Sequence, residues 1–276
     1  MISRRAPWLA ASAVACVLLV ACQKHDASTP GARSAASPTA AIPATSRVEI
    51  KDVLDTSSKH VIGVSYPKDL SKYPGLAALA QRYAAQARQQ VLDAERQRPP
   101  GTAAGPYELS LEFQLRHESP QLVVLAVDGS TFTGGAHSTP MIQRWVWLPA
   151  QNRQLTAAEL FPQAQSWQRI ATDVRTQLQT ELQQRLDADE IAPHERAQLL
   201  KSATAMIEGG TEPKADDFAV FEPVFDDAGH ISALRFVFPP YQVGPFSDGT
   251  HTVELPAAQL VQDVAPAYRA LFATTG

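Results

Sequence analysis

The chain has 276 residues, 45% of them hydrophobic, and its 28 acidic residues outnumber 24 Lys and Arg to give a formal net charge of -4 at pH 7. A weakly acidic chain lacks the basic surface that binds a phosphate backbone, so nucleic acid is excluded as a partner. The common catalytic signatures are missing as well, including the serine elbow, the phosphate-binding loop, the zinc-protease motif and the dinucleotide glycines. Their absence weakens an enzymatic interpretation without excluding it.

The first residues resemble a bacterial lipoprotein signal. Arg4 and Arg5 precede an apolar run over 8–21 that suits the h-region of a signal peptide and is too short to span a bilayer. The run ends in Leu-Val-Ala before Cys22, which is similar to a lipobox. We therefore predict a lipoprotein signal peptide over 1–21 and acylation of Cys22, palmitate included. The alternative is ordinary cleavage beside an unmodified Cys22.

Cleavage before Cys22 would leave one cysteine in the mature chain and hence no disulfide, so the core must be held by packing. Several acyl chains would attach the protein to a membrane almost permanently through its N-terminal lipid. Gln23 after the cysteine favours the outer membrane, with the protein facing the periplasm. The segment 22–46 is rich in Ala, Ser, Thr and Pro and is predicted to be a flexible tether.

The folded part is predicted to begin at residue 47 with a strand and a helix. Residues 60–67 have the composition of a strand, and the helix that follows is ended by Pro99 and Pro100. The apolar residues that recur at helical spacing are Leu76, Leu79, Tyr83, Ala87 and Val91.

A run of strands comes next. Residues 107–118 alternate between polar and apolar, as a half-buried strand does, and 121–133 is predicted to be its hairpin partner. Residues 143–156 resemble a third strand that enters a turn. Thr156 and Glu159 have the spacing of a capping box, which predicts a short helical turn after this strand.

Two amphipathic helices and a second group of strands complete the pattern. One helix is predicted over 166–186 and the other over 194–207. Their apolar stripes are Ile170, Val174, Leu178, Leu182 and Leu186 in the first, and Leu199, Leu200, Ala203 and Ile207 in the second. Residues 218–240 read as two strands joined by a turn in which Gly229 takes a positive φ.

This order, without regular alternation of strand and helix, predicts an α+β fold with mostly antiparallel sheets and packed amphipathic helices. We expect two closely associated modules, an N-terminal one over 47–138 and a C-terminal one over 139–276.

The segment Thr-Gly-Gly-Ala-His is the first candidate for chemistry. Gly134 and Gly135 permit backbone conformations that other residues avoid, and their N–H groups could face a ligand or His137. The alternative is a tight structural turn in which His137 satisfies a buried carbonyl.

The segment 238–256 is the second candidate. Its prolines and glycines make a stiff path that a central strand cannot follow, and Tyr241 and Phe246 could present flat faces to a sugar ring or a protein. The alternative is a rigid loop whose aromatic residues cover the edge of the core.

A zinc site is the third candidate. His137, Asp248 and His251 would suffice for a metal if the two segments converge. No spacing motif supports such a site, so we predict neither a metal nor another cofactor.

The order of "FTGGAH", "LTAAELF" and "FVFPPYQVGPFSDGTHTVELP" resembles the RsiV-like family, domain of unknown function 3298, together with the module that usually precedes it. The resemblance implies an α+β fold and no assigned catalytic residues. It also suggests recognition of lysozyme, as described for a related extracytoplasmic module. The predicted binding residues are Gly134, Gly135, His137, Pro240, Tyr241, Gly244, Pro245, Phe246, Asp248 and Gly249.

We therefore expect a lipid-anchored, non-enzymatic envelope protein that binds a lysozyme-like protein or a peptidoglycan-related ligand. One alternative is a cell-wall hydrolase that uses His137 and Asp248 as a general base pair, which requires the two side chains to lie within hydrogen-bond reach. The other is a structural or assembly factor of the envelope. We also expect the glycines to turn the chain at the junction of the modules so that His137 lies beside the second segment.

Overall fold

A computed structural model describes residues 49–99, 101, 105–188 and 191–273. The predicted signal peptide, Cys22 and the tether over 22–46 lie outside these residues and stay predictions. No helix in the described part of the chain is both long enough and apolar enough to cross a bilayer.

Within the described ranges the chain forms two β-sheets. The strands are β1 (Val53–Thr56), β2 (His60–Ser65), β3 (Tyr107–Glu118), β4 (Val123–Phe132), β5 (Thr139–Leu148), β6 (Arg153–Leu155), β7 (Phe221–Phe225), β8 (Ile231–Phe238) and β9 (His251–Pro256). The α-helices are α1 (Pro74–Gln97), α2 (Ala157–Leu160), α3 (Ala164–Ala188), α4 (Pro193–Gly210) and α5 (Ala257–Leu260). The first sheet has the order β1-β2-β3-β4-β5-β6 and the second the order β7-β8-β9.

The pairing of the strands confirms the predicted α+β fold. Every pair in the two sheets is antiparallel except β2 with β3. Those two strands are parallel because α1 joins them, and a parallel pair needs a crossover connection of this length. The parallel pair was not predicted.

The first sheet is covered by α1 on one face. The predicted alternation in β3 buries Tyr107, Leu109, Leu111 and Phe113 in the same apolar cluster as α1. In β5 the side chains alternate between two clusters, since Trp147 packs with α1 and Val146 packs with the second sheet and α3. The centre of this sheet is therefore buried on both faces, which explains its nearly continuous apolar sequence.

The two long helices after the sheet differ in burial. The predicted stripe of α3 is confirmed, because its five apolar residues from Ile170 to Leu186 are all buried. In α4 only Ile207 is buried, whereas Leu199 is 41% exposed. The predicted stripe of α4 therefore fails only at Leu199, since Leu200 and Ala203 are partly buried against the same apolar cluster as α3. The predicted capping box is confirmed at Thr156 and Glu159.

A chain of ion pairs connects the two sheets. Arg144 on β5, whose side chain is 8% exposed, donates to Asp128 on β4 at 2.9 Å. Its Nε atom lies 3.2 Å from the Glu222 carboxylate on β7, close enough for an ion pair but without the alignment of a hydrogen bond. Arg235 on β8 donates to the other Glu222 oxygen at 2.6 Å. Charges therefore alternate in sign along this contact.

The predicted boundary after residue 138 falls within the first sheet. Strand β5 begins directly after it and pairs with β4 from Val123 to Thr131. The strands on either side of residue 138 are thus hydrogen-bonded neighbours, and the described residues belong to a single compact unit.

Candidate binding site

The turn between β4 and β5 extends from one end of these two inner strands of the first sheet. Gly134 and Gly135 have φ values of 100° and 108°, which only glycine adopts without strain. The residues from 133 to 137 are all exposed. The two glycines therefore reverse the chain direction in a solvent-exposed turn. This turn allows the His137 side chain to contact a neighbouring segment.

His137 reaches the segment between β8 and β9, as expected from the sequence. Its Nε2 atom lies 2.9 Å from the Tyr241 hydroxyl, and its ring stacks on Phe246 with 3.8 Å between the centroids and 14° between the planes. The Nδ1 atom lies 3.2 Å from the Ser138 carbonyl oxygen. A carbonyl only accepts, so Nδ1 donates to Ser138, and in the neutral imidazole Nε2 then accepts the hydrogen bond of Tyr241. We call His137, Tyr241 and Phe246 the aromatic cluster.

Tyr241 adopts an unusual backbone conformation. Its φ of 74° is in the left-handed region, where bulky residues are rare. The Tyr241 amide donates to the Gly244 carbonyl at 2.9 Å, and the Gln242 amide donates to the Pro239 carbonyl at 3.1 Å. These bonds close a tight turn whose shape requires the positive φ. Tyr241 is 57% exposed in this turn.

The same segment is attached to the end of α4. The Gln242 side chain donates to the Gly210 carbonyl at 3.0 Å and to the Asp217 carbonyl at 2.8 Å. A Cβ atom added to Gly210 would lie 1.8 Å from the Gln242 carbonyl oxygen, so glycine is needed for this close approach. Neither Gln242 nor Gly210 was predicted. Their neighbours carried no pattern that distinguishes an anchor from an ordinary polar residue.

The predicted acid–base pair is not assembled. Asp248 accepts a hydrogen bond from Arg185 on α3 at 2.6 Å and another from Ser247 at 3.2 Å, while both His137 nitrogens have other partners. The hydrolase alternative required His137 and Asp248 to be joined, and the structure joins each of them to a different group. Arg185 was missed because it borders the apolar stripe of α3, where a charged residue is ordinary.

The three candidate zinc ligands, His137, Asp248 and His251, do not form one group. Within the described residues, no three His, Cys, Asp or Glu side chains are grouped so that they could hold a metal ion. Asp248 and His251 lie together beside Gly244, whereas His137 belongs to the aromatic cluster.

The remaining predicted residues shape the loop. Pro240 is half-buried, Pro245 is exposed and Gly244 is buried. Gly249 has a φ of 73° at the end of a short 3-10 turn over Phe246–Asp248. These four residues determine the path of the backbone, from which Tyr241 is exposed and Phe246 is half-buried.

Comparisons with known proteins find similarity in the fold. Neither a family model nor a curated protein matches the sequence. The structure is similar to the crystal structure of a DUF3298 family protein from Pseudomonas aeruginosa, with a TM-score of 0.52 and 16% identity over 82% of this chain and 94% of that chain. A DUF3298 family member from Bacteroides fragilis aligns with a TM-score of 0.43 and 15% identity over 80% of this chain and 95% of that chain. The likeness to the Pseudomonas protein supports the DUF3298 part of the predicted resemblance at the level of the fold.

Proposed function

We propose that this protein is a non-enzymatic binding protein of the cell envelope that recognises a lysozyme-like protein or a peptidoglycan-related ligand through the aromatic cluster. Acylation of Cys22 would attach it to the outer membrane on the periplasmic side. The observation that carries the proposal is the presentation of Tyr241, which is exposed, strained and hydrogen-bonded to His137.

Strain at Tyr241 supports a binding role. A non-glycine residue in a sparsely populated backbone region costs about 1–3 kcal/mol and persists where surrounding contacts impose it, often at ligand sites. Glycine at this position would avoid the strain. A tyrosine there directs a large aromatic face into solvent from a fixed turn.

The chemistry of the cluster suits the proposed ligands. Aromatic faces provide large contact areas with few rotatable bonds, which favours both protein interfaces and contact with flat apolar surfaces such as those of sugar rings. His137 has both nitrogens engaged with Tyr241 and Ser138, so it positions the neighbouring rings. No acid–base pair is needed for such a surface to bind.

The first test is retention on immobilised lysozyme and on purified murein. Mature protein in detergent is compared with the double variant Tyr241→Ala, Phe246→Ala. Loss of a buried aromatic anchor from an interface costs about 2 kcal/mol or more, so we expect at least about a thirtyfold weaker retention on one of the two supports. Leu54→Ala is the matched control, because Leu54 is an 82% exposed side chain on β1. Equal retention of the wild type and the double variant would contradict the proposal.

The second test concerns the anchor. Cells that express the wild type are expected to incorporate labelled palmitate into the protein and to retain it in the outer-membrane fraction. Cys22→Ser should abolish both. Incorporation of label by Cys22→Ser, or an intact leader on the wild type in mass spectra, would contradict acylation at Cys22.

A further inference from the structure

A cavity of about 200 Å³ lies between α3, α4 and the segment before β9. Its apolar wall consists of Leu178, Leu182, Ala203, Ile207 and Val243. Glu181, Arg185, Asp248 and His251 line the rest. None of the residues of the aromatic cluster borders it. The cavity is therefore a second concave surface built from the same loop but from different side chains.

One end of the cavity holds a polar atom without a partner. The Nε2 atom of His251 is buried and makes no hydrogen bond with any described residue. A Cβ atom added to Gly244 would lie 2.9 Å from this nitrogen and 3.4 Å from a carboxylate oxygen of Asp248. Glycine at 244 therefore lets the backbone lie against Nε2, where any Cβ atom would be too close. Buried polar groups are almost always hydrogen-bonded, and an unsatisfied one is costly, so this nitrogen calls for a partner from outside the chain.

The size of the cavity limits that partner. An apolar cavity of about 150 Å³ is known to accept benzene, so a cavity of about 200 Å³ accommodates an aromatic ring with one or two further heavy atoms. The buried walls formed by Leu178, Leu182 and Ile207 favour such a ring over a strongly hydrated group.

The charges limit it further. Asp248 and Glu181 carry two negative charges against one positive charge on Arg185, which disfavours a carboxylate or phosphate. A purely hydrocarbon group would contact the apolar walls but would leave His251 Nε2 without a hydrogen bond. A hydroxyl can either donate to this nitrogen or accept from it, so it satisfies both tautomers of the imidazole.

From the walls, the volume and the unpartnered nitrogen, we infer that this cavity binds a phenol group with its hydroxyl on His251 Nε2. A tyrosine side chain and a free phenolic molecule both present this group, and the test below distinguishes them. The inference goes beyond recognition by the aromatic cluster and uses none of its residues.

The test titrates the mature protein in detergent with p-cresol and with toluene, followed by NMR chemical shifts. We expect saturable binding of p-cresol and about fivefold to tenfold weaker binding of toluene, the ratio of one net hydrogen bond. His251→Phe keeps a ring but removes Nε2, and it should bring the two affinities together. A wild type that shows no saturable p-cresol shift, or that does not distinguish the two ligands, would overturn the inference.

Filling the cavity provides an independent variant. Ala203→Leu should weaken p-cresol binding at least tenfold, whereas Ala205→Leu, at an exposed position of the same helix, should leave it unchanged. If Ala203→Leu fails to fold, Gly244→Ala replaces it, because its Cβ would lie 2.9 Å from Nε2 and block the approach to this nitrogen. Unchanged p-cresol affinity in the folded filling variant would refute binding in this cavity.

A tyrosine-containing peptide identifies the source of the phenol. If Gly-Gly-Tyr-Gly-Gly displaces p-cresol, a protein-borne tyrosine is supported; if p-cresol binds and the peptide does not compete, a free phenolic molecule is supported. If neither p-cresol nor the peptide binds, the inference about the cavity is wrong, but the proposed function is not affected. The retention test on lysozyme and murein depends on Tyr241 and Phe246, which do not line the cavity.

Discussion

Breaking the ion pairs between the two sheets should destabilise the protein more than breaking a similar pair at the surface. Arg144 contacts Asp128 and Glu222 from a position that is 8% exposed, and the Glu222 side chain is 10% exposed. In Arg144→Met the long side chain still fills the space, but Glu222 loses one of its two cations.

The expected loss of stability in Arg144→Met depends on the ion pairs that remain around Glu222. Removing one partner of a buried ion pair typically costs about 3–5 kcal/mol, because a charge is left uncompensated. Arg235 still donates to Glu222 at 2.6 Å in the variant, so we expect the lower end, about 3 kcal/mol. Arg116 is the control, since it is 48% exposed and lies 3.6 Å from Asp128. Arg116→Met should cost under about 1 kcal/mol, as exposed pairs do.

Urea unfolding of the mature protein measures both effects through the shift in midpoint at an unchanged slope. The double variant Arg144→Met, Glu222→Leu removes both buried charges, so its loss should be smaller than the sum of the two single losses by about 1 kcal/mol or more. Equal losses in Arg144→Met and Arg116→Met, or strict additivity in the double variant, would refute the role assigned to this contact.

Two further predictions concern pH and the anchoring of the loop. The hydrogen bond to Glu95 raises the pKa of His60 above 6.5, so the stabilisation is complete below about pH 6.5 and is lost as the pH rises through the raised pKa. In thermal melts His60→Gln should therefore destabilise the protein more at about pH 5.5 than at about pH 8.5, and a uniform loss would contradict this. The other charged side chains around His60 and Glu95 are Asp55, Lys59 and Arg88. Gly210→Ala should cost about 1–3 kcal/mol and weaken retention on the supports, because its Cβ would collide with Gln242. In Gly209→Ala the new Cβ has no atom of the described residues within 4 Å, so this variant should be neutral or stabilised by up to about 1 kcal/mol. Equal losses of stability in Gly210→Ala and Gly209→Ala, measured by urea unfolding, would exclude the collision.

Features that depend on local periodicity could be predicted from the sequence. The alternation in β3 and the apolar stripe of α3 each specify one buried face, so both elements appear where they were predicted. The contact between His137 and the segment 238–256 does not depend on local periodicity. It is a contact across 104 residues between His137 and Tyr241, and it was expected from the resemblance in motif order rather than from periodicity.

Features that depend on packing could not be predicted in this way. The exposure of Leu199 follows from where α4 meets α3, and the helical spacing alone does not show which part of a stripe is covered. The positive φ of Tyr241 was missed because left-handed conformations are expected at glycine, and Gly244 lies only three residues away. Arg185 became part of the site because the fold brings Asp248 to it.

The loop between β8 and β9 is attached to several elements, and these attachments order it before a ligand binds. Gln242 ties it to the end of α4, Asp248 ties it to Arg185 on α3, and His137 supports its aromatic face from the β4–β5 turn. A segment ordered before binding loses little conformational entropy when a ligand arrives, which raises affinity without adding a contact. Loss of the Arg185 tie would then weaken ligand binding although Arg185 lies outside the aromatic cluster. The strain at Tyr241 persists for the same reason, since these attachments together impose a conformation that the residue alone would avoid.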